Sequence, residues 1–150
     1  MKRDGGMRCW KKTKRSSFRE RIHWIGAVDD VRPWYKAASI MVLPSVNEAF
    51  GRVVVEAMAC GVAVIAFRSG GIPEIITHMR NGILVPEMDA GAFAQAIGQI
   101  INDQQLRHSL SEEAKRRADF FTIEKTVENI SSVFDELSSQ THADTKKERS

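Results

Sequence analysis

The sequence predicts an α/β fold in which a parallel sheet carries helices on both faces, and three observations lead there. Two continuous apolar runs, Ile40–Leu43 and residues 62–67, have strand length and lack the alternation of a sheet with one wet face, so they read as strands buried on both sides. A helical stretch, residues 51–60, lies between them, and a strand–helix–strand crossover makes the pairing parallel. Each run is followed by a glycine-bearing loop, with Gly51 after the first and Gly70-Gly71 after the second.

Taken in order, residues 1–20 read as a basic, disordered lead-in, residues 21–137 as the folded domain and residues 138–150 as a disordered polar tail. Residues 22–26 gather β-branched and aromatic side chains before a glycine and predict a short first strand. Asp29 and Asp30 are placed to cap a helix reaching Ala38, with Pro33 tolerated in its first turn. Pro44 stops the run Ile40–Leu43, residues 45–50 form a polar loop, and Gly61 ends the helix over residues 51–60. After the strand at 62–67, the turn at 68–71 opens a helix with Pro73 near its start, and Asn81-Gly82 turns the chain into the strand Ile83–Val85. Asp89, Asp103 and Thr122 then cap three helices ending near Ile101, Asp119 and Leu137.

Composition narrows the function classes. A chain of 150 residues that is 43% hydrophobic fits one domain burying about two-thirds of its unfolded surface. No apolar run approaches the roughly 20 residues of a membrane span, and the basic opening is not followed by the apolar core of a signal peptide. Cys9 and Cys60 lack metal-ligand spacing and a disulfide-rich setting, which makes a reduced, cytoplasmic protein the default. Residues 1–21 carry nine Lys or Arg against Asp4 and Glu20, a local +7, while the other 129 residues sum to −4. Such an arm is either a solvated terminus or a peripheral contact with anionic lipid at the inner face of the membrane. Without aromatics at a repeating spacing, nucleic acid is not an expected partner. His23, His78, His108 and His142 are scattered singles, so no metal site is expected.

The chemistry concentrates between Pro44 and Gly61, where Glu48 and Glu56 bracket Gly51 at the start of a helix. In a parallel sheet the loop leaving a strand lies over the ligand crevice, and the next helix aims its N-terminus there. Unpaired N–H groups of residues 50–53 then suit phosphate or sugar oxygens, Gly51 permits close approach of a ligand, and Glu48 can accept hydrogen bonds from sugar hydroxyls. Glu56 sits in the apolar sequence VVVEAMA, where a buried carboxylate without a partner costs several kcal/mol. A diol such as ribose would satisfy it, and so would solvent or a basic side chain. Gly70-Gly71 belongs to the next loop on the same edge and either widens a ligand cradle or serves the turn itself. Neither loop has the Walker pattern or G-x-G-x-x-G, which disfavours ATP hydrolysis and ordinary NAD binding. No G-x-S-x-G nucleophile is present.

The residues Gly26-x-Val28 with Asp29-Asp30, Tyr35-Lys36-Ala37-Ala38, Val42-Leu43-Pro44-Ser45, Glu48-x-Phe50-Gly51, Val55-Glu56-Ala57-Met58-Ala59, Gly61, Gly70-Gly71-x-Pro73-Glu74 and Asn81-Gly82 together resemble group 1 (family 4) glycosyltransferases over about residues 22–135. The resemblance implies a Rossmann-like sheet forming the C-terminal, donor-binding half of a GT-B fold, incomplete at its N-terminal side. It implies that Glu48 is the catalytic residue, contacting donor-sugar hydroxyls, that Phe50, Gly51 and Arg52 surround sugar and diphosphate, and that Glu56 binds the ribose. Val28 would line the nucleobase pocket and Val53 would border the nucleotide. It further implies a retaining hexosyl transfer from a UDP-, GDP- or ADP-sugar, without metal or other cofactor.

Two departures stand out: Ala49 replaces a common glycine, and Arg52 stands where an aliphatic residue is usual, either as a cation near phosphates or as a solvated side chain. The family's N-terminal acceptor domain is not recognisable, nor is the strand and loop that supplies an Arg/Lys pair for the diphosphate. That domain would be a partner in cis in a parent enzyme or in trans. The competing readings are an inactive, truncated module that binds nucleotide sugar without catalysis, and another two-Rossmann enzyme such as a sugar-nucleotide epimerase, which the motif order fits less well.

Overall fold

The computed structural model describes residues 12–14 and 16–147, the last ten as backbone only. Two compact units divide between Val31 and Arg32. In the first, the chain makes a 3₁₀ turn at Arg19–Arg21 and then runs irregularly to the boundary. Most of the expected basic lead-in lies outside the described residues.

The second unit holds α1 (Arg32–Ala37), β1 (Ile40–Leu43), α2 (Arg52–Ala59), β2 (Ala63–Phe67), α3 (Ile72–Ile75), β3 (Ile83–Val85), α4 (Ala90–Asn102), α5 (Gln104–Ala118), a 3₁₀ turn at Asp119–Phe121 and α6 (Ile123–Lys147). The three strands pair in the order β1-β2-β3, all parallel, with Ile40 opposite Ala63 and Ile65 opposite Ile83. This is the expected Rossmann-like sheet.

The middle strand explains why its sequence is apolar throughout. All five residues of β2 are buried, and alternate side chains enter opposite cores. Val64 and Ala66 join Val54, Ala57 and Met58 of α2, Ile72 and Ile75 of α3, and Ala114 and Ala118 of α5. Ala63, Ile65 and Phe67 join Ile83 and Val85 of β3 with Phe93, Ala96 and Ile100 of α4 and Leu110 of α5. Phe67 meets Phe93 edge to face at 5.1 Å between centroids. Fully burying a side chain such as Ile65 stabilises by about 1.5–3 kcal/mol relative to leaving it exposed.

Helix boundaries follow their caps. Asp89 Oδ1 accepts from the Ala92 N–H at 2.8 Å and Asp103 Oδ1 from the Leu106 N–H at 2.8 Å, satisfying donors that have no intrahelical partner. Thr122 Oγ1 accepts more loosely, at 3.3 Å, from the Lys125 N–H. Asn81 is buried and pins the turn before β3: its Oδ1 accepts from the Thr77 N–H at 2.7 Å and its Nδ2 donates to the Ile75 carbonyl at 3.1 Å. His78 Nδ1 accepts from the Leu84 N–H at 3.1 Å, a structural use of that histidine.

Two expectations are corrected. Residues 22–26 form no strand, because local β propensity cannot replace a neighbouring ladder, and among the described residues none pairs with them. β1 is not buried on both faces, since it is an edge strand and Val42 remains 41% exposed. Residues 138–147 continue α6, and the stretch contains no Gly or Pro to break it. Residues 148–150 lie outside the described residues.

Candidate functional site

β1 and β2 both deliver their following loops to the C-terminal edge of the sheet, and the two loops are bonded to each other. The Asn47 N–H donates to Ser69 Oγ at 2.8 Å, and the Gly71 N–H donates to the Glu48 carbonyl at 2.9 Å. Ser69 is buried by this arrangement. The approach is too close for side chains: a Cβ on Gly70 would stand 2.1 Å from the Glu48 carbonyl oxygen, and one on Gly71 2.4 Å from that of Ala49. These glycines therefore permit the contact between the loops.

Gly51 begins α2 in the left-handed conformation, with φ 73°, and is itself buried. A Cβ there would meet Ile72 Cδ1 at 2.4 Å, with Glu48 Cγ at 3.5 Å and Ile75 Cδ1 at 3.6 Å. Backbone geometry and the isoleucines of α3 demand glycine at this position. The consequence for chemistry remains favourable. No side chain caps α2, and its first N–H groups precede the bonds that Val54 and Val55 return to the Gly51 carbonyl. Uncapped N–H groups and the positive end of the helix dipole both suit an anion.

Around this helix start, Phe50, Arg52 and Val53 are exposed and Glu48 is half-buried. Among the described residues, no side chain pairs with the Glu48 carboxylate. Glu56 differs. Arg52 Nε lies 3.1 Å from Glu56 Oε1, one helical turn apart, and Tyr35 Oη donates to Glu56 Oε2 at 3.5 Å, the outer reach of a hydrogen bond. Its side chain is 36% exposed. The basic-partner alternative describes Glu56, and a diol is not needed to balance a buried charge. Arg52 likewise turns along its helix to this partner. Burial raises the Tyr35 phenol above its ordinary value, and the neighbouring Glu56 carboxylate raises it further by disfavouring a second negative charge.

The structure thus brings Glu48, Phe50, Gly51, Arg52, Val53 and Glu56 to one helix start and the loop before it. Val28 belongs to the first unit, where it is exposed, and its expected role rests on the resemblance alone. Among the described residues no group of His, Cys, Asp and Glu is arranged to hold a metal ion. None of the helices described is long and apolar enough to cross a membrane.

Sequence reading missed Tyr35 as the partner of Glu56, Ser69 as the acceptor joining the loops, and Arg117. Arg117 carried a signal: it lies three residues after Ala114 and seven after Leu110, on the buried stripe of α5, while Lys115 and Arg116 point off it.

The model of the family "Glycosyl transferases group 1" matches residues 4–103. The chain belongs to this family. It is 38% identical over 103 residues to a D-inositol 3-phosphate glycosyltransferase of Corynebacterium jeikeium, covering 69% of this chain and 25% of that protein. An uncharacterized glycosyltransferase of Methanocaldococcus jannaschii is also 38% identical, over 110 residues, covering 73% of this chain and 31% of that protein. Among solved structures, sucrose-phosphate synthase from Thermosynechococcus elongatus superimposes with a TM-score of 0.81 at 31% identity, over 89% of this chain and 34% of that one. Anabaena HepE in complex with UDP gives 0.83 at 27%, over 89% and 37%. HepE in complex with UDP-glucose gives 0.81 at 25%, over 90% and 38%. This group 1 glycosyltransferase chain therefore has the GT-B type of fold and spans about a quarter to a third of the two curated relatives it matches here. The family match begins inside the basic arm, upstream of residue 22, where the motif resemblance starts.

Proposed function

We propose that the chain is the donor-binding half of a retaining, nucleotide-sugar-dependent glycosyltransferase that transfers a hexosyl group. The observation that carries this reading is the uncapped start of α2 beside an unpaired carboxylate, Glu48, in a fold shared with a protein that binds UDP and UDP-glucose. In this reading the N–H groups of Gly51, Arg52 and Val53 hold the diphosphate, and the helix dipole stabilises the charge that grows on it as the bond to the sugar breaks. Glu48 accepts hydrogen bonds from sugar hydroxyls and orients the anomeric carbon. Phe50, exposed beside Gly51, borders the sugar. Glu56 keeps one oxygen on Arg52 and offers its remaining acceptor capacity to the ribose, displacing the long contact from Tyr35.

A second reading is binding without transfer; the chain spans 25% and 31% of the length of two relatives whose names carry the activity. Calorimetric titration of the chain with UDP-glucose, GDP-mannose, ADP-glucose and the free nucleotides tests both. Saturable binding of one class, weakened about tenfold or more by Glu48→Ala for the sugar nucleotide but not for the free nucleotide, supports the assignment. A folded chain that binds none of them overturns it. Release of free nucleotide only when an acceptor-domain protein is supplied distinguishes a binding half from a complete catalyst.

A further inference from the structure

We propose that Arg117 is a positioning residue that holds both loops of the candidate site through one guanidinium; its structural part stands alone, and its effect on ligand binding rests on the donor-site reading. Arg117 Nε donates to the Ile75 carbonyl at 3.3 Å and Nη2 to the Glu74 carbonyl at 2.7 Å, across 42 and 43 residues of sequence. These are carbonyls at the end of α3, a helix of four residues. One turn has no stability of its own, because nucleation fixes several residues for a single hydrogen bond. The guanidinium supplies a closing donor to the Glu74 carbonyl and shares the Ile75 carbonyl with Asn81 Nδ2.

What α3 positions is the site. Its Ile72 and Ile75 side chains occupy the space over Gly51, and Gly71, just before it, donates to the Glu48 carbonyl. Displacing α3 therefore moves the start of α2 and the backbone of Glu48 together. The same guanidinium lies 4.9 Å from the centroid of Phe121, whose ring meets Phe50 edge to face at 6.1 Å. Phe50 is the residue before Gly51, so Arg117 reaches the loop from a second side. Its flat fork suits two carbonyls and a ring face at once, whereas an ammonium offers one point charge. Arg116 and Arg80 show the contrast: both are exposed and pair with Glu113 on the surface.

Amide hydrogen exchange on the ¹⁵N-labelled chain tests this, with Arg117→Met and Arg117→Lys compared to wild type. The expected result is that the Asn47 and Gly71 amides exchange about tenfold faster or more in both variants, the scale of losing hydrogen bonds to a charged donor, while those of Val64 to Ala66 in β2 stay within about twofold. Unchanged Asn47 and Gly71 amides, or amides that accelerate only in step with β2, would overturn the proposal in favour of general packing. Should the Met variant fail to fold, the Lys variant decides, since it keeps the stem and the charge and loses only the fork. Titration with UDP-glucose then reads the functional part: Kd rises about tenfold in the variants if the loops form the donor site. Loosened loops with an unchanged Kd would overturn the positioning role. If wild type itself does not bind UDP-glucose, the donor reading falls and the exchange result still judges the clamp.

Discussion

Glu56 shows how a residue's partners decide what its type can mean. In the sequence it is a lone carboxylate in an apolar helix, and in the structure it is half-exposed and faces Arg52 and Tyr35. Exposed i,i+4 pairs contribute about 0.3–0.5 kcal/mol, so Glu56→Gln is expected to cost less than about 1 kcal/mol in urea unfolding. The same variant is expected to weaken UDP binding several-fold, separating a ligand role from a structural one. Tyr35 gives a pH signature. Its raised pKa means that its contribution to stability is complete below pH 10, the ordinary phenol value, and is lost as pH rises through the raised one. Urea midpoints between pH 9 and 11 should therefore fall less in Tyr35→Phe than in wild type. The glycines behave oppositely to Glu56. Because a Cβ on Gly70 would strike backbone, which cannot turn aside, Gly70→Ala should cost about 1–3 kcal/mol and raise the exchange of the Asn47 amide.

At the scale of elements, what was legible is what local rules determine. The bounds of α4 and α5 follow from Asp89 and Asp103, each seen accepting from the N–H three residues on. Asp103→Ala should cost about 1 kcal/mol by urea unfolding, and Asp103→Asn much less, since either side chain can cap. β2 was legible because a strand buried on both faces has no alternation to hide. Residues 22–26 misled because β-branched and aromatic residues describe a surface that fits a sheet without saying whether a neighbour is there to pair. The site divided in the same way. Its loop and helix start came from spacing along one stretch of chain, whereas the bonds from Asn47 to Ser69 and from Arg117 to Glu74 span 22 and 43 residues, and no local pattern names either partner.

For the whole molecule, the two cores on either side of β2 meet the requirement for a folded α/β unit, while α6 presents a different surface. Ile123, Val127, Ile130, Phe134 and Leu137 recur at intervals of four and three residues, and each is more than half exposed. None belongs to either core cluster. The double substitution Ile130→Glu with Phe134→Glu is therefore expected to change the urea midpoint by no more than about 0.5 kcal/mol equivalent and to raise solubility.

We propose that the start of α2 and the loop before it form a nucleotide-sugar site, and amide chemical-shift mapping of the ¹⁵N-labelled chain during titration with UDP probes that site residue by residue. Saturable shifts centred on Phe50, Gly51, Arg52 and Val53, weakened in Glu56→Gln, are the result predicted here. A folded chain whose amides at 50–53 stay still while UDP is added, or whose shifts gather elsewhere, would contradict it.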